Sequence, residues 1–200
     1  MSLSIRRHAA VLALAAVVSL PAHAVRFEGQ DFADTLPLGG ATLQLNGVGA
    51  KVFVMRYSAY LAALYLPRKA STPEAIYAQA GPKRLELRIV IPIVKDVSTQ
   101  EFVKAINKGV SRNSTEAEKA AVEERVKQFN AAISEVGRVK KGDRLVIDYL
   151  PDQGTVLTIN GKVHGKPIEG QDFYAAFLKV FIGDRNSDAQ LRASLLGQPG

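Results

Sequence analysis

The chain has 200 residues, 47% of them hydrophobic and 22% charged, an ordinary globular composition that favours one domain with a substantial core. It contains no cysteine, which excludes disulfides, thiolate metal sites and cysteine nucleophiles. The 26 basic and 19 acidic residues are interleaved, as in Lys83-Arg84-Leu85-Glu86, and no basic run alternates with aromatics, so the sequence carries no nucleic-acid footprint.

The N-terminus has the layout of a Sec-type signal peptide. Arg6 and Arg7 precede an uncharged run from Ala9 to Leu20, and Pro21 leads to Ala22-His23-Ala24. The apolar run is too short to span a bilayer. The reading is a leader at 1–24, cleaved after Ala24, and a mature domain at 25–200 exported to the periplasm without a stable membrane anchor. Loss of the two arginines lowers the charge from +7 to about +5. That leaves room only for loose attraction to an anionic membrane surface.

Val25 to Glu28 alternates and reads as a short strand; Gly29 to Gly40, with Pro37, reads as a loop. Thr42 to Leu45 alternates again and leads to Asn46-Gly47-Val48-Gly49, read as a tight glycine turn. From there to Pro67 the chain is apolar on both faces, which predicts one strand, or two joined at a bend, covered on both sides. Regular alternation would put Arg56, Ser58 and Tyr60 on one face. A cation, a hydroxyl and a phenol beside an apolar sheet could form the polar end of a lipophilic pocket. A solvent-exposed bulge is the alternative.

Thr72 and Pro73 mark the start of a short helix, ended by Gly81-Pro82. Arg84 to Pro92 predicts a strand with Leu85, Leu87, Ile89 and Ile91 on a buried face. Arg84, Glu86 and Arg88 would lie on a wet one. Ser98 with Glu101 has the capping-box spacing, and Phe102, Ala105, Ile106, Gly109 and Val110 recur at helical spacing. A second helix is expected over Glu116–Ser134. Three strands then form a meander: Arg144–Tyr149, Thr155–Ile159 and Lys162–Ile168, the last two joined by the type I′ signal Asn160-Gly161. A helix over Phe173–Ile182 carries Phe173, Phe177 and Phe181 on one stripe, either core packing or one wall of a pocket. A last helix spans Asp188–Leu196. This order, without βαβ alternation, argues an α+β fold with helices against an antiparallel sheet.

Leu45-Asn46-Gly47-Val48-Gly49, Ala62-Ala63-Leu64-Tyr65-Leu66, Lys141-Gly142-Asp143, Asn160-Gly161-Lys162, Gly170-x-Asp-Phe and Phe181-Ile182-Gly183-Asp184 together resemble the chalcone isomerase-like family, in its secreted bacterial branch. The resemblance implies an open-faced β-sandwich: a large antiparallel sheet, a helical layer, and a cleft between them. The family holds enzymes that cyclise chalcones and non-catalytic members, some of which bind fatty acids. The family's arginine falls at Lys51 or Val52, and its active-site threonine at Tyr60. Its helical tyrosine and asparagine fall at Phe102 and Gly109, and its late threonine at Val180. Most of the polar constellation that orders a chalcone's oxygens is thus absent, and lysine lacks the planar fork of arginine.

The remaining chemistry is sparse. His164 is the one histidine left after signal cleavage, too few for a histidine metal site. Asp143, Asp148, Asp152 and Asp184 lie mostly at turns and caps, where carboxylates satisfy backbone N–H groups. No cofactor and no metal is expected. The reading is a non-catalytic binder of a small lipophilic, fatty-acid-like molecule. Lys51 or Arg56 would meet its polar end, with Tyr60 as hydrogen-bond donor and Leu64, Phe102, Phe177 and Val180 along the tail. One alternative is an isomerase or intramolecular lyase acting on a chalcone-like or other conjugated substrate, with Lys51 and Tyr60 as candidate catalytic groups. Another is an envelope protein-interaction module. The sequence does not set the oligomeric state.

Overall fold

The computed structural model describes residues 23–52, 58–90, 97–186 and 188–198. Arg56, Ile91 and nearly all of the expected leader lie outside them. A seven-stranded antiparallel sheet forms the frame, built from β3 (Thr35–Leu38), β4 (Ala41–Val52), β5 (Ser58–Leu66), β6 (Lys83–Ile89), β9 (Arg144–Leu150), β10 (Gly154–Ile159) and β11 (Lys162–Ile168). Across the sheet their order is β11-β10-β9-β6-β5-β4-β3. The hairpin β1 (Ala24–Phe27) and β2 (Gln30–Ala33) and the short pair β7 (Val97–Ser98) and β8 (Arg138–Val139) complete the described strands. Helices α2 (Thr99–Asn113), α3 (Glu116–Ser134), α4 (Gln171–Ile182) and α5 (Ala189–Leu195) lie on one face, and α1 (Pro73–Ala78) leads from β5 to β6.

Local signals place many of these elements. The Thr72 side chain caps α1 with Pro73 in its first turn. Asn160 and Gly161, at φ 50° and 82°, take the left-handed conformations of a type I′ turn between β10 and β11. Thr115 and Glu118 form a reciprocal capping box at the start of α3. At α2, by contrast, the expected box does not form: Ser98 accepts from the Gln100 N–H, while Glu101 pairs with Lys104.

The sheet's two faces bury separate clusters. Leu85, Leu87, Ile89, Leu145 and Ile147 meet the helices together with Phe129, Phe173 and Phe177. On the other face Leu43, Leu45, Leu61, Ala63 and Tyr65 pack with Phe32 of the β1–β2 hairpin. That hairpin overturns the expectation of a wet face on β6. Glu86 is only 1% exposed and accepts from Arg88 Nε (2.7 Å) and Arg144 Nη2 (2.6 Å). Arg84 grips Asp148 through two 2.7 Å bonds, and the Arg88 guanidinium stacks 3.9 Å from the Phe32 ring centroid. The strand does alternate, but its polar face is a covered ion-pair network.

Two further expectations are corrected. Residues 29–40 are not a loop: they contain β2 and β3, and Pro37 is tolerated because β3 is the edge of the sheet. Asn46-Gly47-Val48-Gly49 is not a turn, since β4 runs straight through it. Register shifts at Asn46, and its side chain leaves the ladder to bind the chain on either side. Asn46 Nδ2 donates to the carbonyls of Ala70 (2.9 Å) and Leu195 (2.7 Å), and Oδ1 accepts from Ala70 N (2.8 Å).

Candidate functional site

Gly47, Gly49 and Lys51 alternate onto one face of β4, and the glycines explain what happens there. A Cβ on Gly47 would overlap the Ser194 carbonyl oxygen, and one on Gly49 would stand 2.7 Å from Ser194 Cβ and 3.1 Å from Leu191 Cδ1. The two bare positions therefore seat α5 directly on the strand. Running antiparallel to β4, α5 brings its N-cap, Asp188, to Lys51. Asp188 Oδ2 stands 3.1 Å from Lys51 Nζ, while Oδ1 accepts from Leu191 N at 2.9 Å. One carboxylate thus caps the helix and neutralises the strand lysine.

Tyr60 of β5 is the register partner of Lys51. A bulge beside it breaks the alternation expected for this stretch: the neighbours Ala59 and Tyr60 both border the cavity on the helical side, whereas Ser58 donates to Glu28 in the β1–β2 turn. The Tyr60 hydroxyl makes no hydrogen bond within the described residues. Burial, with the Asp188 carboxylate adding to it, pushes the phenol well above its ordinary value. It stays protonated at neutral pH and is a donor, not a base.

Lys51 and Tyr60 stand at one part of a cavity of about 530 Å³ between sheet and helices, within the roughly 300–1,000 Å³ range of ligand sites. Apart from Ser98 and Glu101, the other described lining residues are apolar. Leu87, Ile89, Leu145 and Ile147 form the sheet side; Phe102, Ala105 and Ile106 of α2 and Phe177, Val180 and Phe181 of α4 form the helical side. Phe129 of α3 closes it, its ring centroid 5.1 Å from that of Phe177. The phenylalanine stripe divides between the two readings given for it: Phe173 stays in the core, while Phe177 and Phe181 face the cavity.

Of the residues singled out in the sequence, Lys51, Tyr60, Phe102, Phe177 and Val180 are brought together here. Val52, the other candidate for the arginine position, is 42% exposed. Leu64 does not line the cavity and is corrected to a core residue. It lies about four strand residues, roughly 13 Å, beyond Tyr60. It pairs with Gly47, where α5 fills the space. Gly109 is also outside the lining; its bare backbone lets α2 cross α4, where a Cβ would lie 2.8 Å from Val180 Cγ1. Arg56 lies outside the described residues.

Sequence reasoning missed Asp188, read only as the start of a helix, and the contributions of Phe129, Leu145 and Ile147. The other chemical candidates have structural roles. Asp148 holds Arg84, and Asp143 accepts from Lys140 N and Asn160 Nδ2. His164, on β11, is not among the lining residues. Among the described residues no cluster of His, Asp or Glu is placed to hold a metal. Ser98, the one hydroxyl besides Tyr60 in the lining among the described residues, is occupied as a helix cap. Among the described residues the arrangement offers an apolar volume, an ion pair and a phenol donor without a hydrogen-bond partner: the means to hold and orient a lipophilic molecule.

A twisted antiparallel sheet under a helical layer, with an apolar cavity between, defines an open-faced β-sandwich of the α+β class. Residues 24–197 match the model of the chalcone isomerase-like family, and the chain belongs to that family. Among solved structures, a fatty-acid binding protein of Arabidopsis thaliana shares the fold with a TM-score of 0.63. The identity is 14%, and the match covers 88% of this chain and 96% of that one. No curated protein sequence matches the chain.

Proposed function

We propose that this protein is a non-catalytic binder of a small lipophilic, fatty-acid-like molecule, held in the cavity between sheet and helices. The observation that carries the reading is the largely apolar cavity of about 530 Å³, with Lys51 and Tyr60 side by side in its lining. Burying an acyl chain there gains about 0.8 kcal/mol per methylene. Two further facts support it. Phe102 and Val180, which the resemblance sets at positions where the family enzymes carry hydroxyls, present carbon to the cavity, and Lys51 is already paired with Asp188. A reaction that builds up negative charge would find little to stabilise it. The fatty-acid binding protein of the same fold is consistent with this reading. The signal-like N-terminus supports export to the periplasm with removal of a leader at 1–24.

Native mass spectrometry of the protein isolated from its own cells tests the reading, followed by denaturing extraction of whatever it carries. A stoichiometric lipid is the expected result, on a chain whose mass begins at Val25. An empty protein that turns over a chalcone faster than the spontaneous rate, with the gain lost in Lys51→Ala, would replace it with the isomerase alternative.

A further inference from the structure

We infer that the cavity selects a lipophilic ligand whose polar end is an uncharged hydrogen-bond acceptor, such as an ester, ketone or alcohol, over one ending in a carboxylate. The inference rests on the proposed binding role and names the chemistry of the head group. It follows from how the charges around the polar atoms are used. Lys51 is the one cation lining the cavity among the described residues, and Asp188 stands 3.1 Å from it. That acid cannot easily give way, because its second oxygen caps α5 and α5 is seated on Gly47 and Gly49. The other charged lining residue is an acid, Glu101, held 2.8 Å from Lys104. A carboxylate entering here would lose its hydration, meet a lysine already paired, and lie close to a fixed anion.

The geometry favours the neutral head in a positive sense as well. Tyr60 sits directly across the strand pair from Lys51, and its hydroxyl has no acceptor among the described residues. It can donate one hydrogen bond to an ester or ketone oxygen, or to an alcohol. The rise in the phenol's pKa caused partly by Asp188 points the same way: negative charge at this place is disfavoured whether it sits on the tyrosine or on a ligand.

The test compares dodecanoate with methyl dodecanoate by calorimetric titration at pH 8, where the free acid is ionised, on the wild type and on Asp188→Asn and Tyr60→Phe. Asparagine keeps the helix cap while removing the charge. The wild type is expected to bind the ester at least about tenfold more tightly than the carboxylate. Asp188→Asn, by freeing Lys51, is expected to strengthen carboxylate binding by about tenfold and leave the ester nearly unchanged. Tyr60→Phe is expected to weaken the ester by about three- to tenfold. A wild type that binds the carboxylate as tightly as the ester, or more tightly, overturns the inference and leaves the lipid-binding role standing. If neither ligand binds, the role itself falls and the inference with it. Should Asp188→Asn fail to fold, the wild-type comparison still decides.

Discussion

Gly47 lies directly beneath the carbonyl of Ser194, so that strand β4 and helix α5 touch backbone to backbone. This contact sets the position of α5, and through it the meeting of Asp188 with Lys51. A methyl group at Gly47 would overlap the carbonyl oxygen, and neither backbone can rotate away as a flexible side chain could. Gly47→Ala is expected to cost about 2–4 kcal/mol in urea denaturation. Gly49→Ala, which meets the Ser194 and Leu191 side chains instead, should cost less, about 1–2 kcal/mol. Equal losses at the two positions would show that α5 adjusts freely and that the contact does not fix it.

The Asn46 side chain secures the same junction from the other end, with hydrogen bonds to Ala70 O, Leu195 O and Ala70 N. Asn46→Ala leaves those buried groups unpaired and is expected to cost about 2–3 kcal/mol. Asn46→Asp should be worse, because its carboxylate would face two carbonyl oxygens with no proton to donate. Denaturation midpoints for the two variants, ranked in that order, check the role; a milder Asp variant would contradict it.

These residues also mark where the sequence stops being legible. The caps, the Asn160-Gly161 hairpin, the bounds of α3 and the helical stripes of α2 and α4 are local patterns, and each could be read from a few neighbouring residues. Phe102, Phe177 and Val180, which line the cavity, are legible by that route or by family position. The glycines of β4 look like a turn because glycine's commonest local use is a turn; here the reason is a helix that arrives almost at the end of the chain. Asp188 was hidden for the same cause, since its partner is on a distant strand. The wet face predicted for β6 failed because a hairpin near the N-terminus covers it, which alternation alone does not reveal.

That covered face yields a pH-dependent prediction at Glu86. Burial raises its pKa, but hydrogen bonds from Arg144 and Arg88 outweigh burial and hold the carboxyl below its ordinary value. The folded state therefore binds this proton less readily than the unfolded chain. The contribution to stability is present above the unfolded value, near pH 4.5, and is lost as pH falls through the folded one. Glu86→Gln leaves two arginines without their counter-ion and is expected to cost about 3 kcal/mol at pH 7. The gap between wild type and variant should narrow steadily in urea denaturation below pH 4.5. A gap that stays constant to pH 2.5 would mean that the carboxylate's charge plays no part.

Lys83 makes the opposite prediction at alkaline pH. It is 1% exposed, has no carboxylate partner among the described residues, and donates to the carbonyls of Gln79 and Gly81 beside the Tyr149 ring, 5.2 Å from its centroid. Burial lowers its pKa from 10.5 to about 8. Between those values the folded protein has released a proton that the unfolded chain still holds, so stability rises with pH, by at most about 1.4 kcal/mol per unit. The rise should be visible from about pH 8 to 10. Above pH 10 the buried tyrosines, Tyr65 among them with its pKa raised to about 12, oppose it: the unfolded chain ionises first and stability falls. Lys83→Met keeps the stem's packing and removes the titration. Its stability should be flat over the window in which the wild type climbs, measured by urea denaturation at half-unit steps. A wild type that is equally flat would show that the ammonium keeps its proton there, held by the two carbonyls and the ring.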